Sequence, residues 1–261
     1  MIAIRSLAYQ VLFVGWTVTI SFAYLPLLLC PRWMMQRAAY VWLELALLLQ
    51  RWVLGLSYEV RGLENLPKGA VVITPKHQSA WDTMVFHHLV ADPAYVLKKE
   101  LLSIPFIGWY LAKSGQVAVD RKAGMKALKY MVEGAHAAAA ESRQIIIFPE
   151  GHRQAPGTTG DYHSGVAMLY AGLDVPLVPV ALNSGMFWAR NAFLRYPGVI
   201  TLHVLPPIPH GLDRRAFMAK LEATIETATR ALEAEALQRF PYLTARLSTS
   251  VADAVDKSVE G

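Results

Sequence analysis

Between Ser6 and Pro31 the chain carries no Asp, Glu, Lys, Arg or His, and no other feature limits its fold as strongly. As a helix, the run from Leu7 to Leu29 would be roughly 35 Å long at about 1.5 Å per residue, enough to cross a hydrocarbon core of about 30 Å. Gln10, Gly15, Thr17, Thr19, Ser21 and Pro26 interrupt it, so the expectation is either a spanning helix or a bent one that enters a single leaflet. A removable secretory leader would have a shorter apolar region ending in small residues, not in Leu27-Leu28-Leu29-Cys30.

From Trp33 to Leu56, Arg37, Glu44 and Arg51 recur every seven residues, which keeps them on one stripe of a helix. With Trp33, Trp42 and Trp52 around it, such a helix suits a lipid interface; a core helix packed on the domain is the alternative. Residues 1–56 are therefore expected to form a membrane anchor, with one spanning or re-entrant helix and one interfacial amphipathic helix. Residues 57–243 are expected to form an α/β domain, and 244–261, rich in Ser, Asp, Thr and Val, a flexible tail. A composition 54% hydrophobic and only 17% charged over 261 residues fits a chain that presents apolar surface to lipid. The formal charge of +5 calls for an anionic partner, whether nucleic acid, acidic lipid or a phosphorylated substrate. A single cysteine, Cys30, excludes an internal disulfide framework and a C-x-x-C metal site.

After Ser57 short apolar runs alternate with helical stretches. The strands are expected at Val71 to Thr74, Tyr95 to Lys98, Gln116 to Val119, Ile145 to Phe148, Leu177 to Leu182 and Thr201 to Val204. Helices are expected at Trp81 to Val90, Gly124 to Ser142 and Tyr162 to Gly172, with a final one capped by Asp213. This alternation predicts an α/β fold, a mostly parallel central sheet flanked by helices. Ile145-Ile146-Ile147-Phe148 has no polar face and should be buried on both sides.

Two loops could carry chemistry. After Val71-Val72-Ile73-Thr74 the chain breaks at Pro75 and continues Lys76-His77-Gln78-Ser79-Ala80-Trp81-Asp82, a strand-to-helix loop in which Ser79 is expected to cap the helix. Within one helix His77 and Asp82 would point about 140° apart, so they can meet only if His77 lies ahead of the helix and folds back over its first turn. Asp82 would then sit at the positive end of the helix and orient one ring nitrogen of His77, leaving the other as a base. There is no G-x-S-x-G elbow, so a covalent nucleophile is not apparent and the base would act directly on a substrate hydroxyl. The second loop, Phe148-Pro149-Glu150-Gly151-His152-Arg153, follows the buried strand, where ligands bind in such sheets. Gly151 permits close backbone approach and Arg153 can clamp a phosphate. Lys98 and Arg121, at the mouths of other strands, could add positive charge.

In this order the blocks resemble the glycerolipid acyltransferase family, which includes the 1-acylglycerol-3-phosphate acyltransferases. They are H-x-x-x-x-D at His77 to Asp82, K-x-E-L and D-R at Lys98 to Leu101 and Asp120-Arg121, F-P-E-G-x-R at Phe148 to Arg153, and V-P-x-V-P-V at Val175 to Val180. The resemblance covers residues 71 to 185, and the strings Ala181 to Gly185 and Phe187 to Arg190 are similar to bacterial members. It implies His77 as base, Asp82 as its orienting partner, and Arg153 with Lys98 or Arg121 on the acceptor phosphate, while Glu150 and Gly151 shape the substrate site. It further implies lysophosphatidic acid as acceptor, acyl-CoA or acyl-carrier protein as donor, and no cofactor, metal or nucleic acid. The place implied is the lipid bilayer of a bacterial inner membrane, with the domain on the cytoplasmic face. Lys76 stands where Asn is common and His152 where Thr is common, departures expected to bear on acceptor choice. Another lysophospholipid or a lyso-aminolipid is the alternative acceptor, and non-catalytic lipid binding the alternative function.

Overall fold

The computed structural model describes residues 1–245, with the side chain of Arg121 excepted. Seven strands make one sheet: β1 (Leu56–Arg61), β2 (Val71–Pro75), β3 (Pro93–Lys98), β4 (Val117–Val119), β5 (Gln144–Ile146), β6 (Leu177–Leu182) and β7 (Gly198–Val204). Their order across the sheet is β1-β7-β6-β2-β5-β3-β4. All neighbours run parallel except β6 and β7, as expected for a mostly parallel α/β sheet.

Side chains alternate across a strand, so the sheet builds a core on each face. Val71 and Ile73 of β2 and Ile146 of β5 face one layer, with Leu43, Leu47, Val85 and Phe86. These belong to α2 (Arg32–Leu49) and α3 (Asp82–Leu89). Val72 and Ile145 face the other layer, made by α5 (Met125–Ala140), α6 (Gly165–Gly172) and α7 (Arg214–Arg239). Ile145 and Ile146 are fully buried, the two-sided burial expected of that run. The strand ends earlier than expected, because Pro149 follows and cannot donate to a ladder.

Asp213 caps α7, its carboxylate accepting from the Ala216 N–H at 2.8 Å. Phe217 of α7 is fully buried and stacks on Tyr170 of α6 with ring centroids 3.9 Å apart. Phe217→Ala should therefore lower unfolding stability by about 3–5 kcal/mol, measured by urea denaturation of the detergent-solubilised chain.

Two elements were not expected from the sequence: β1, on the sheet edge beside β7, and α4 (Ile107–Lys113). The N-terminal run is also broken. Helix α1 (Ile2–Ala23) gives way to a 3-10 turn, Leu25–Leu29, with Pro26 in its first turn. By length and composition α1 could cross a membrane, and Leu7, Val11, Leu12, Val14, Val18 and Phe22 are exposed along it. Both ends nonetheless touch the domain. Near its start, Ser6 Oγ accepts from the Arg195 N–H at 2.9 Å and Gln10 Oε1 accepts from Arg195 Nη2 at 2.6 Å. Near its end, the Tyr110 hydroxyl donates to the Ser21 carbonyl and Phe22 packs on Phe106. The alternative of a helix packed on the domain holds for the second helix: α2 buries Leu43, Ala46 and Leu47, while Trp33, Tyr40, Val41 and Leu48 are exposed. Glu44 of the polar stripe lies 3.0 Å from His88 on α3. The expected flexible tail falls almost wholly in 246–261, outside the described residues.

Candidate active site

Helix α3 begins one residue after Trp81, with Asp82 in its first turn, and the loop Lys76 to Trp81 lies ahead of it. A single carboxylate oxygen organises this loop. Asp82 Oδ2 accepts from the backbone N–H groups of Gln78 and Ser79, both at 2.7 Å, and lies 3.1 Å from His77 Nδ1. With two backbone N–H groups donating to this oxygen, the ring N–H of His77 is the third donor aimed at it. Nδ1 then carries the proton, and Nε2, which has no hydrogen-bond partner among the described residues, keeps its lone pair. The ring is also fixed by stacking on Phe148, centroids 4.1 Å apart.

Ser79 helps build the turn but does not cap as expected. Its hydroxyl accepts from the Trp81 N–H at 3.2 Å, and it is fully buried, so it cannot reach a substrate as a nucleophile.

The second loop lies against the first, with the Gln154 N–H donating to the His77 carbonyl at 2.7 Å. Arg153 therefore sits one residue from a backbone contact with His77. Gly151 turns the loop with φ at 64°, a conformation that costs glycine little. His77, Gly151, His152 and Arg153 all line one cavity of about 1210 Å³, larger than the roughly 300–1,000 Å³ of ordinary small-molecule pockets. Lys98, at the end of β3, lines it too, whereas the side chain of Arg121 lies outside what is described.

Away from these polar groups the wall is apolar. Ile20 and Tyr24 from the first helix and its following turn, Met35 and Trp42 of α2, and Ile107, Tyr110 and Leu111 of α4 enclose it. His87 lines the same wall, and burial holds its pKa down to about 4, so it stands there uncharged.

Two expectations are corrected. Glu150, placed among the substrate contacts, is 1% exposed. Its Oε2 accepts from the His77 N–H at 3.2 Å and its Oε1 from Lys76 at 2.7 Å and Gly160 N–H at 3.0 Å. It shapes the site from behind and does not line the cavity. Lys76, expected to bear on acceptor choice, is fully buried and points to Glu150 and Glu226, both at 2.7 Å. Of the two departures only His152 faces the cavity.

The sequence reading missed Arg190, which lines the cavity and donates to the Arg153 carbonyl at 3.3 Å. It also missed Glu226 and Glu233 on α7. The signal for the latter pair is two carboxylates seven residues apart, each directly after a core position, Ile225 and Leu232.

The fold and these two loops define an α/β domain that sets an oriented imidazole and an arginine on the wall of one largely apolar cavity. A family model described as Acyltransferase matches residues 57–183. A 1-acyl-sn-glycerol-3-phosphate acyltransferase of Pseudomonas aeruginosa is 38% identical over 169 residues, 65% of each chain. One of Borreliella burgdorferi is 31% identical over 182 residues, 66% of this chain and 70% of that one. The match thus spans about two thirds of these relatives' length. The crystal structure of the 1-acyl-sn-glycerophosphate (LPA) acyltransferase PlsC from Thermotoga maritima shares the fold, with TM-score 0.69 at 22% identity, over 90% of this chain and all of that one. The chain belongs to the acyltransferase family, among relatives named 1-acyl-sn-glycerol-3-phosphate acyltransferase.

Proposed function

We propose that the chain transfers a fatty acyl group from acyl-CoA or acyl-carrier protein to the sn-2 hydroxyl of 1-acyl-glycerol-3-phosphate, giving phosphatidic acid. The observation that carries this reading is the Nδ1 of His77, 3.1 Å from Asp82, on a ring that lines an apolar cavity. His77 Nε2 takes the hydroxyl proton as the acceptor oxygen attacks the thioester carbonyl. The carbon–sulfur bond then breaks and the sulfur leaves with that proton, so one thiol is released for each ester formed. Arg153, with Lys98 or Arg121, holds the acceptor phosphate and fixes the hydroxyl near Nε2.

Acyl chains favour this placement in lipid, since each methylene moved into water costs about 0.8 kcal/mol. The cavity wall includes residues of α1 and α2, both of which expose apolar side chains. A helix bound to the same domain near both ends fits burial in one leaflet better than a full crossing. The donors are made in the cytoplasm, so the domain faces that side of the inner membrane.

The test is thiol release with lysophosphatidic acid, a lysophospholipid with a larger head group, a lyso-aminolipid and an uncharged monoacylglycerol as acceptors. Turnover with lysophosphatidic acid is expected; turnover only with the lyso-aminolipid would replace the acceptor, and binding without thiol release from any donor would reject the reaction. Arg153→Ala should raise KM for lysophosphatidic acid about 10- to 100-fold, as loss of a charge-assisted hydrogen bond worth about 1.5–3 kcal/mol implies. KM for the thioester should stay put.

A further inference from the structure

His77 is flanked by two buried polar residues, and both are held by one helix far along the chain. Lys76 is fully buried, and its ammonium group has three acceptors: Glu150 Oε1 at 2.7 Å, Glu226 Oε1 at 2.7 Å and the Thr158 carbonyl at 3.0 Å. That accounts for all three of its donors. On the other side of His77, Gln78 Nε2 donates to Glu233 Oε1 at 2.6 Å while Gln78 Oε1 accepts from the Gly185 N–H at 3.1 Å. Glu226 and Glu233 are two helical turns apart on α7, hence on one face.

The same two carboxylates also hold the far side of the second loop. Glu226 accepts from the Tyr162 hydroxyl and from the Thr159 hydroxyl, both at 3.0 Å. Glu233 accepts from the Gly157 N–H at 3.0 Å. Arg230, between them on the helix, donates to Thr159 at 3.0 Å. The chain of contacts therefore runs from α7 through Lys76 and Glu150 to the His77 N–H, and through Gln78 to the loop that Asp82 organises. Neither Glu226 nor Glu233 touches the cavity, and both lie beyond the 57–183 segment matched by the family model.

We propose that Glu226 and Glu233 are positioning residues for the His77 base, acting through Lys76 and Gln78, and that Lys76 and Glu226 work as one charge-matched unit. The charges explain the coupling. Lys76 stands between two buried carboxylates, Glu150 and Glu226. Taking its charge away leaves two carboxylates facing each other in a largely buried site, a repulsion that favours movement of the loop. Removing the Glu226 charge at the same time leaves Glu150 alone with the His77 and Gly160 N–H groups, which suffice for one carboxylate. The second deletion should therefore repair part of the damage done by the first.

This rests on His77 being the base, and the experiment is a double-mutant cycle of Lys76→Met and Glu226→Gln with two independent readouts. The first is kcat and KM for thiol release. Lys76→Met is expected to lose ~100-fold in kcat and Glu226→Gln ~10-fold, with KM for both substrates within about twofold. The double variant should recover to within ~10-fold of wild type, the scale of coupling seen between residues in one network. The second readout needs no turnover: the rate at which diethyl pyrocarbonate modifies His77, read by peptide mass mapping alongside the melting temperature. Glu233→Gln belongs in this arm and should change the His77 rate several-fold. If wild type releases no thiol, the acyl-transfer reading fails while the modification rates still test the clamp. If Glu226→Gln does not fold, Glu226→Met takes its place, removing the same charge with an apolar side chain of similar length. Losses that simply multiply, or variants that lower the melting temperature while His77 reacts at the wild-type rate, would overturn the proposal.

Discussion

His77→Ala should lower kcat for acyl transfer by about 10²- to 10⁴-fold, the usual worth of a positioned general base, while the protein stays folded. The ring lines an open cavity and holds the fold together only through its stack on Phe148 and its bond to Asp82. Its backbone contacts to Glu150 and Gln154 survive the substitution. Loss of activity with an unchanged melting temperature therefore reports the imidazole and not a collapsed loop. Full turnover by the variant would remove His77 from the mechanism.

Asp82→Asn should also lower kcat, for a different reason. Asp82 Oδ2 receives two backbone N–H groups at 2.7 Å and also faces His77 Nδ1 at 3.1 Å, so the amide oxygen takes that place and the NH₂ group takes the place of Oδ1, which has no hydrogen-bond partner among the described residues. His77 Nδ1 then faces a neutral acceptor, and the positive charge that develops on the ring as it takes the hydroxyl proton loses its counter-ion. A charge-assisted hydrogen bond is worth about 1.5–3 kcal/mol, so a loss of about 10- to 100-fold in kcat is expected. Stability should fall by less, about 0.3–1 kcal/mol for the charge lost at the helix N-terminus. Kinetics beside a thermal melt separate the two effects, and a variant with wild-type kcat would mean the carboxylate only builds the turn.

The parts of the molecule legible in the sequence are those fixed by near neighbours. The buried strands stood out because Val71 to Ile73, Ile145 to Ile147 and Leu177 to Leu182 lack polar faces, and the sheet buries them on both sides. The meeting of His77 and Asp82 was legible because the helix start could be placed from Pro75 and Ser79. The edge strand β1 was not, since Glu59 and Arg61 within it face outward and pair with each other and with Glu235. Helix α4 is short, and the backbone of Phe106 just before it has φ at 62°, a left-handed turn that no residue type announces there. The break after α1 is the work of Pro26, visible in the sequence but outweighed by the apolar run around it.

Lys76 shows the limit most clearly. In the sequence it stood next to a candidate base, as a departure from the common Asn expected to bear on acceptor choice, and a lysine is seldom fully buried unless paired. Its partner Glu226 lies 150 residues further on, and no local pattern links the two. Only the fold, by laying α7 against the loop, turns an exposed-looking cation into a buried one with its charge matched.

The most direct measurement is rapid mixing of enzyme with acyl thioester in the absence of acceptor, following thiol on the millisecond scale. With the base acting on the acceptor hydroxyl itself, no thiol should appear until lysophosphatidic acid is added, and then one thiol per phosphatidic acid. A burst of thiol equal to the enzyme concentration before any acceptor is present would reveal an acyl-enzyme and contradict direct transfer by His77.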